Sequence, residues 1–206
     1  MDGTLLDLNF DTYFWQEHLP RRYAFTRGLD IATAKRVLEP HFSKVAGTLD
    51  WYCLDYWSEL LGLDIVDLKK DIVHLIAILE GATDFMDRLR QQGKRTILVT
   101  NAHPDSLALK LEHTRLDNHL DRLISVHEMG LPKEEVLCWK KLQTLEPFDP
   151  ARTLLVDDNL VALRSARQFG IRHLLAACKP NSCQPARPTT EFAAFHRFDE
   201  IMPTLV

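Results

Sequence analysis

A chain of 206 residues, 46% of them hydrophobic, can bury a full core in one or two domains. Its net charge of −4, without a basic stripe, argues against nucleic acid as a partner. The longest apolar runs, such as Ile97-Leu98-Val99, fall far short of the roughly 18 residues a membrane span needs. With no basic-then-apolar leader at the start either, a cytoplasmic protein without a membrane partner is expected.

From about Phe10 to Glu80 the pattern is helical throughout, with no β-type alternation. Phe14, Trp15 and Leu19 share one helical face, and a second helix is predicted over Ile31 to Val45. A third covers Trp51 to Leu61, and Asp64 or Asp67 caps a fourth that reaches Leu79. After Gly81 the character changes. Thr83 to Gln92 reads as a helix stopped at Gly93, Arg95 to Val99 as a short strand, and Pro104 to Thr114 as a helix. Leu123 to Ser125 is a weak strand, Glu134 to Leu145 a helix, and Thr153 to Val156 an apolar strand. Leu160 to Phe169 is a helix closed by Gly170, followed by a last strand over Arg172 to Ala176. Lys179 to Pro188 reads as a surface loop, and a final helix is expected near Asp199 to Leu205. Cys53, Cys138, Cys178 and Cys183 follow no C-x-x-C or Cys/His spacing, so they are expected as reduced, mostly buried thiols, with zinc a minor option.

Strand–helix alternation from residue 83 onward predicts an α/β fold: a Rossmann-like parallel sheet covered on both faces. Residues 1–8 and 81–206 would form that core domain, and residues 9–80 an all-helical insert. Ligands of such sheets bind beyond the carboxyl ends of the strands. There the sequence places Thr100-Asn101-Ala102-His103, then Gly130-Leu131-Pro132-Lys133, then Asp157-Asp158-Asn159. Asp2-Gly3-Thr4 would follow a strand lying upstream. Adjacent carboxylates at the end of an apolar strand repel unless a cation joins them, which points to a metal at Asp157 and Asp158. Trp15, Trp51, Tyr52, Tyr56 and Trp57 read mainly as core, with base stacking as the alternative. His103 and Asp7 are weaker candidates for substrate contact or gating.

The ordered set Asp2, Thr100, Lys133, Asp157-Asp158 resembles the four motifs of the haloacid dehalogenase-like phosphohydrolases. Receiver domains of two-component signalling use the same groups, but their acidic pair precedes the phosphorylated aspartate and no helical insert follows the first strand. The resemblance implies an aspartyl-phosphate mechanism with Asp2 as general acid and base. Thr100 and Lys133 would join the catalytic set; Thr4, Asn101 and His103 would bind substrate. Mg²⁺ would be held by Asp2, Asp157 and Asp158. In that signature the nucleophilic aspartate stands one residue before Met1, so the 206 residues alone are expected to lack activity.

Longer runs carry a closer resemblance to bacterial 5′-nucleotidases of that superfamily. They are Asp2 to Trp15, Trp51 to Ser58, Thr100 to Pro104 and Lys110 to Thr114. This implies a purine nucleoside monophosphate, GMP or IMP, as the small-molecule substrate. It also implies a helical cap over the site, in a monomer or weak homo-oligomer. The alternative is a pseudophosphatase that binds a phosphorylated ligand or protein partner without turnover.

Overall fold

A computed structural model describes residues 1–204. Helix α1 (Asn9–Tyr13) runs through a π-helical turn, Phe14–His18, into α2 (Leu19–Arg27). Pro20, in the first turn of α2, has no N–H to return to the carbonyl four residues back, and the widened turn lies just before it. Then follow α3 (Ile31–Val45), α4 (Leu54–Leu61) and α5 (Ile65–Lys70). Asp30 caps α3 and Asp64 caps α5, accepting the Thr33 and Asp67 N–H groups.

Helix α3 spans the predicted residues; two neighbours do not. The helix expected over Trp51 to Leu61 is a 3-10 turn, Leu49–Tyr52, separated from α4 by Cys53 in an extended conformation. The helix expected to reach Leu79 stops at Lys70. After a 3-10 turn, Val73–Leu75, the chain extends because its backbone is engaged elsewhere: Ala77 accepts from Asp7 N–H, and Leu79 N–H donates to Leu5.

The second half alternates as predicted: α6 (Ala82–Gln91), β1 (Ile97–Thr100), α7 (Pro104–Thr114), β2 (Arg122–Ser125), α8 (Val136–Leu145), β3 (Leu154–Asp157), α9 (Leu160–Phe169) and β4 (His173–Ala177). A further strand, β5 (Ala193–Phe195), was not anticipated, since Ala-Ala-Phe carries no β-branched residue. The expected closing helix is a 3-10 turn, Phe198–Ile201, and Leu205 lies outside the described residues. Nor is 179–188 simply a surface loop. Asn181 is fully buried, with its amide on the Thr12 hydroxyl, and Ser182 N–H donates to Asp7.

The strands form two parallel sheets, β1-β2 and β3-β4-β5, rather than the one sheet expected. The opening residues pack with both: Met1 and Leu6 share a cluster with Leu98 of β1, and Leu5 packs against the cluster that Val156 of β3 also joins. The helices of 9–80 bury their own cluster, which includes Phe10, Phe14, Leu38, Trp57 and Ile65. A second cluster around Ile124, Trp139 and Ala166 lies under the sheets. No described helix is long and apolar enough to cross a membrane.

Candidate active site

Parallel pairing sets Thr100 beside Ser125 and Asp157 beside Ala176, so β1 and β3 both deliver polar residues at their carboxyl ends. A cavity of about 1040 Å³ opens there, lined by Asp2, Thr100, Asn101, His103, Lys133, Asp157 and Asp158 from the sheet side. Trp15, Glu39, Phe42, Trp51 and Tyr52 line it from the helical side. Seven of the eight candidate residues thus converge.

Thr4 does not line this cavity. It is buried, and its hydroxyl donates to Asp158 Oδ1 at 3.3 Å. The turn that allows this needs Gly3, at φ +75°, because a Cβ there would lie 2.5 Å from the Asp158 carboxyl.

Lys133 Nζ donates to Asp157 Oδ2 at 2.5 Å, both side chains being buried. Burial alone would lower the lysine pKa, but the charge of Asp157 overrides it and holds the ammonium above its usual value. Asp157 is likewise kept below the carboxylate range: burial opposes ionisation, and Lys133 outweighs it. No lysine or arginine pairs with Asp158 among the described residues. Desolvation, then the negative Asp157 beside it, pushes its pKa up to about 6. A donor set of adjacent carboxylates, one of them in no salt bridge among the described residues, fits a hard divalent ion such as Mg²⁺.

The loop that carries Lys133 is held from three sides. Asn101 Oδ1 accepts the Lys133 N–H, Trp139 Nε1 donates to the Lys133 carbonyl at 3.0 Å, and the Ser165 hydroxyl donates to the same oxygen. Glu134 gathers three donors at 2.8 Å: the Asn101 and Asn159 amides and the Tyr52 hydroxyl. Asn101 therefore spends its side chain on the loop. Thr100 Oγ1 accepts from the Ala102 N–H, and His103 caps α7.

Sequence reasoning missed a buried ionic chain. Lys110 Nζ lies 2.7 Å from Asp2 and 2.6 Å from Asp11, whose other oxygen is 2.7 Å from Lys69 Nζ. Both lysines are almost fully buried. Lys69 also sits 4.6 Å from the Phe14 ring centre and 4.8 Å from that of Phe10. Asp11 is held well below the usual carboxylate range: burial disfavours its charge, but Lys110 and Lys69 prevail. The only hint was position, since Lys110 falls in one of the motif-like runs. Asp7, weighed for gating, accepts the Asn9 and Ser182 N–H groups and lies off the cavity. Of the aromatics, Trp57 is core, Trp15 and Trp51 both pack and face the cavity, and Tyr52 faces the cavity.

The family model described as haloacid dehalogenase-like hydrolase matches residues 1–170. The chain is 40% identical over all 206 residues to the GMP/IMP nucleotidase YrfG of Escherichia coli (strain K12), and covers 93% of it. The protein of that name in Shigella flexneri matches equally. Among solved structures, a HAD phosphatase from Thermococcus onnurineus superimposes with a TM-score of 0.80 at 17% identity, covering 98% of this chain and 93% of that one. The UTR4 protein of Saccharomyces cerevisiae gives 0.64 at 12%, covering 97% and 96%, so these two share the fold. With its motif residues gathered at the strand ends and a full-length relative at this identity, the chain belongs to the haloacid dehalogenase-like hydrolase family.

Proposed function

We propose that this protein is a Mg²⁺-dependent phosphatase of purine nucleoside 5′-monophosphates, GMP or IMP, with residues 9–80 acting as a cap over the site. The observation that carries this is the meeting of Asp2, Thr100, Lys133 and Asp158 at the floor of one cavity, in a chain 40% identical to a nucleotidase of that specificity.

In this reading Asp2 protonates the leaving nucleoside oxygen and then takes the proton of the hydrolytic water, as general acid and base. Lys110 holds it in place through its 2.7 Å contact. Thr100 and neighbouring N–H groups hold phosphoryl oxygens, and Lys133 supplies positive charge to the transferring group. The attacking carboxylate is assigned to no residue of this chain. Mg²⁺, held by Asp157, Asp158 and Asp2, would screen the repulsion between carboxylate and phosphate. The aromatic residues on the helical side offer flat surfaces for a base, and the 1040 Å³ cavity has room for a nucleotide.

The test is phosphate release from GMP, IMP, AMP and a simple sugar phosphate, by protein purified from its own cells, with Mg²⁺ and with chelator. The expected result is Mg²⁺-dependent release favouring GMP and IMP, cut by about 10²–10⁴ in Asp2→Asn. Release from none of them, with tight nucleotide binding, would favour the pseudophosphatase.

A further inference from the structure

We propose that Cys53, His103 and His127 form a second metal site, for a borderline-soft divalent ion of the Zn²⁺ class, which pins the helical segment to the sheet side. One donor atom from each lies within 4.8 Å of the other two. Tetrahedral zinc, with Zn–S about 2.3 Å and Zn–N about 2.0 Å, brings its ligand atoms closer than this, so side-chain shifts on the order of 1 Å complete the site. Three separate elements supply the ligands: the extended residue ahead of α4, the cap of α7, and the 3-10 turn Val126–Met129 after β2.

The surroundings favour a metal over a chance cluster. His127 Nε2 lies 3.1 Å from the Asn101 carbonyl, a bond that places the ring proton there and leaves Nδ1 as a lone-pair donor. Metal-bound histidines are oriented by just such an outer bond. His103 Nε2 is 3.4 Å from Asp55 and Nδ1 is 3.6 Å from Asp105. Binding through Nε2 puts the ring proton on Nδ1, which then exchanges the Asp105 N–H it accepts as the α7 cap for the Asp105 carboxylate beside it. Asp55, two residues from Cys53 and exposed, can supply a fourth ligand of oxygen. Cys53 is a free, half-buried thiol in no disulfide.

Softness separates the two sites. Thiolate and imidazole suit zinc and are poor ligands for Mg²⁺, whereas Asp157 and Asp158 offer oxygen alone. Binding releases one proton as the Cys53 S–H bond is replaced by S–Zn, so no oxidant or reductant is involved. His103 lines the cavity, so the ion would hold α4 against the cavity rim.

Co²⁺, a spectroscopic substitute for zinc, would be titrated into the full chain with Mg²⁺ in saturating excess over the carboxylate site. The expected result is one Co²⁺ per chain with a thiolate-to-cobalt charge-transfer band that Zn²⁺ abolishes by competition. Cys53→Ser should lose the band and Cys183→Ser should keep it. His127→Ala should weaken affinity beyond the ~10–100-fold that loss of an outer-shell partner costs. A band missing from the unmodified protein, kept in Cys53→Ser, or lost in Asp158→Asn would overturn the proposal. On the unmodified protein, Zn²⁺ should slow amide exchange over residues 53–61 and 101–106. Unchanged exchange there under saturating Zn²⁺ would also overturn it, and this readout needs no variant to fold.

Discussion

Asp158 shows how a single residue ties stability to function. Its pKa is raised from 3.8 to about 6 by desolvation and by Asp157, so its charge is costly to hold in the folded chain. A raised pKa stabilises the fold below the unfolded value, near pH 4, and that contribution is lost as pH rises through about 6. Without metal, Asp158→Asn should therefore raise stability above pH 6 by about 1–3 kcal/mol, while leaving it unchanged near pH 3. Urea denaturation at the two pH values checks this; equal effects at both would contradict the assignment. The same variant should lose any stabilisation by Mg²⁺. Gly3 is the companion case, since a Cβ there meets the Asp158 carboxyl at 2.5 Å and the backbone is left-handed. Gly3→Ala should lower the thermal midpoint and weaken Mg²⁺ binding together, as a calorimetric titration would show.

Between residue and fold, α8 and α7 are joined to the site by single side chains. Trp139 of α8 is buried, and its indole N–H donates both to the Lys133 carbonyl and to Ser165 at 2.7 Å. Trp139→Phe keeps most of the volume but leaves these buried acceptors with one donor fewer. A loss of about 1–3 kcal/mol is expected, read as a lower urea midpoint at unchanged slope. Lys110 of α7 faces two carboxylates, Asp2 and Asp11. Lys110→Met would leave them beside each other with Lys69 as the remaining buried cation, at a cost of about 3–5 kcal/mol. Measuring Lys110→Met with and without Asp11→Asn would show whether removing the second charge restores part of that loss.

Across the molecule, a set of polar contacts joins the helical segment to the sheet side. Tyr52 donates to Glu134, Asp55 approaches His103, and Asp11 links Lys69 of α5 to Lys110 of α7. Each side has its own apolar cluster, with Leu109 of α7 packing against one and Leu49 of the helical segment against the other. Polar contacts of this kind restrain relative motion less than an apolar interface does. Tyr52→Phe removes one such bond, and about 0.5–1.5 kcal/mol corresponds to roughly 2–10-fold faster proteolysis of the opened form. A limited-proteolysis time course at native conditions measures it, and an unchanged rate would mean this bond does not restrain opening.

Caps, breakers and apolar runs were enough to mark most local elements and the polar residues at the strand ends. Helices α3, α7 and α9 begin and end as predicted because Asp30, Pro104 and Gly170 mark their ends chemically. Thr100, Lys133, Asp157 and Asp158 were found because strand ends of a parallel sheet are where ligands bind. The rest followed from long-range packing. The chain beyond Lys70 gave up its helix for backbone bonds to Leu5 and Asp7, and β5 formed from residues of low strand preference because β4 offered a partner. Thr4 turned to Asp158 rather than the cavity, and Lys69 and Lys110 were buried together around Asp11. Such pairings join residues tens to more than a hundred positions apart. Local propensity carries no record of them, since they are fixed only when packing removes water and every buried charge must find its partner.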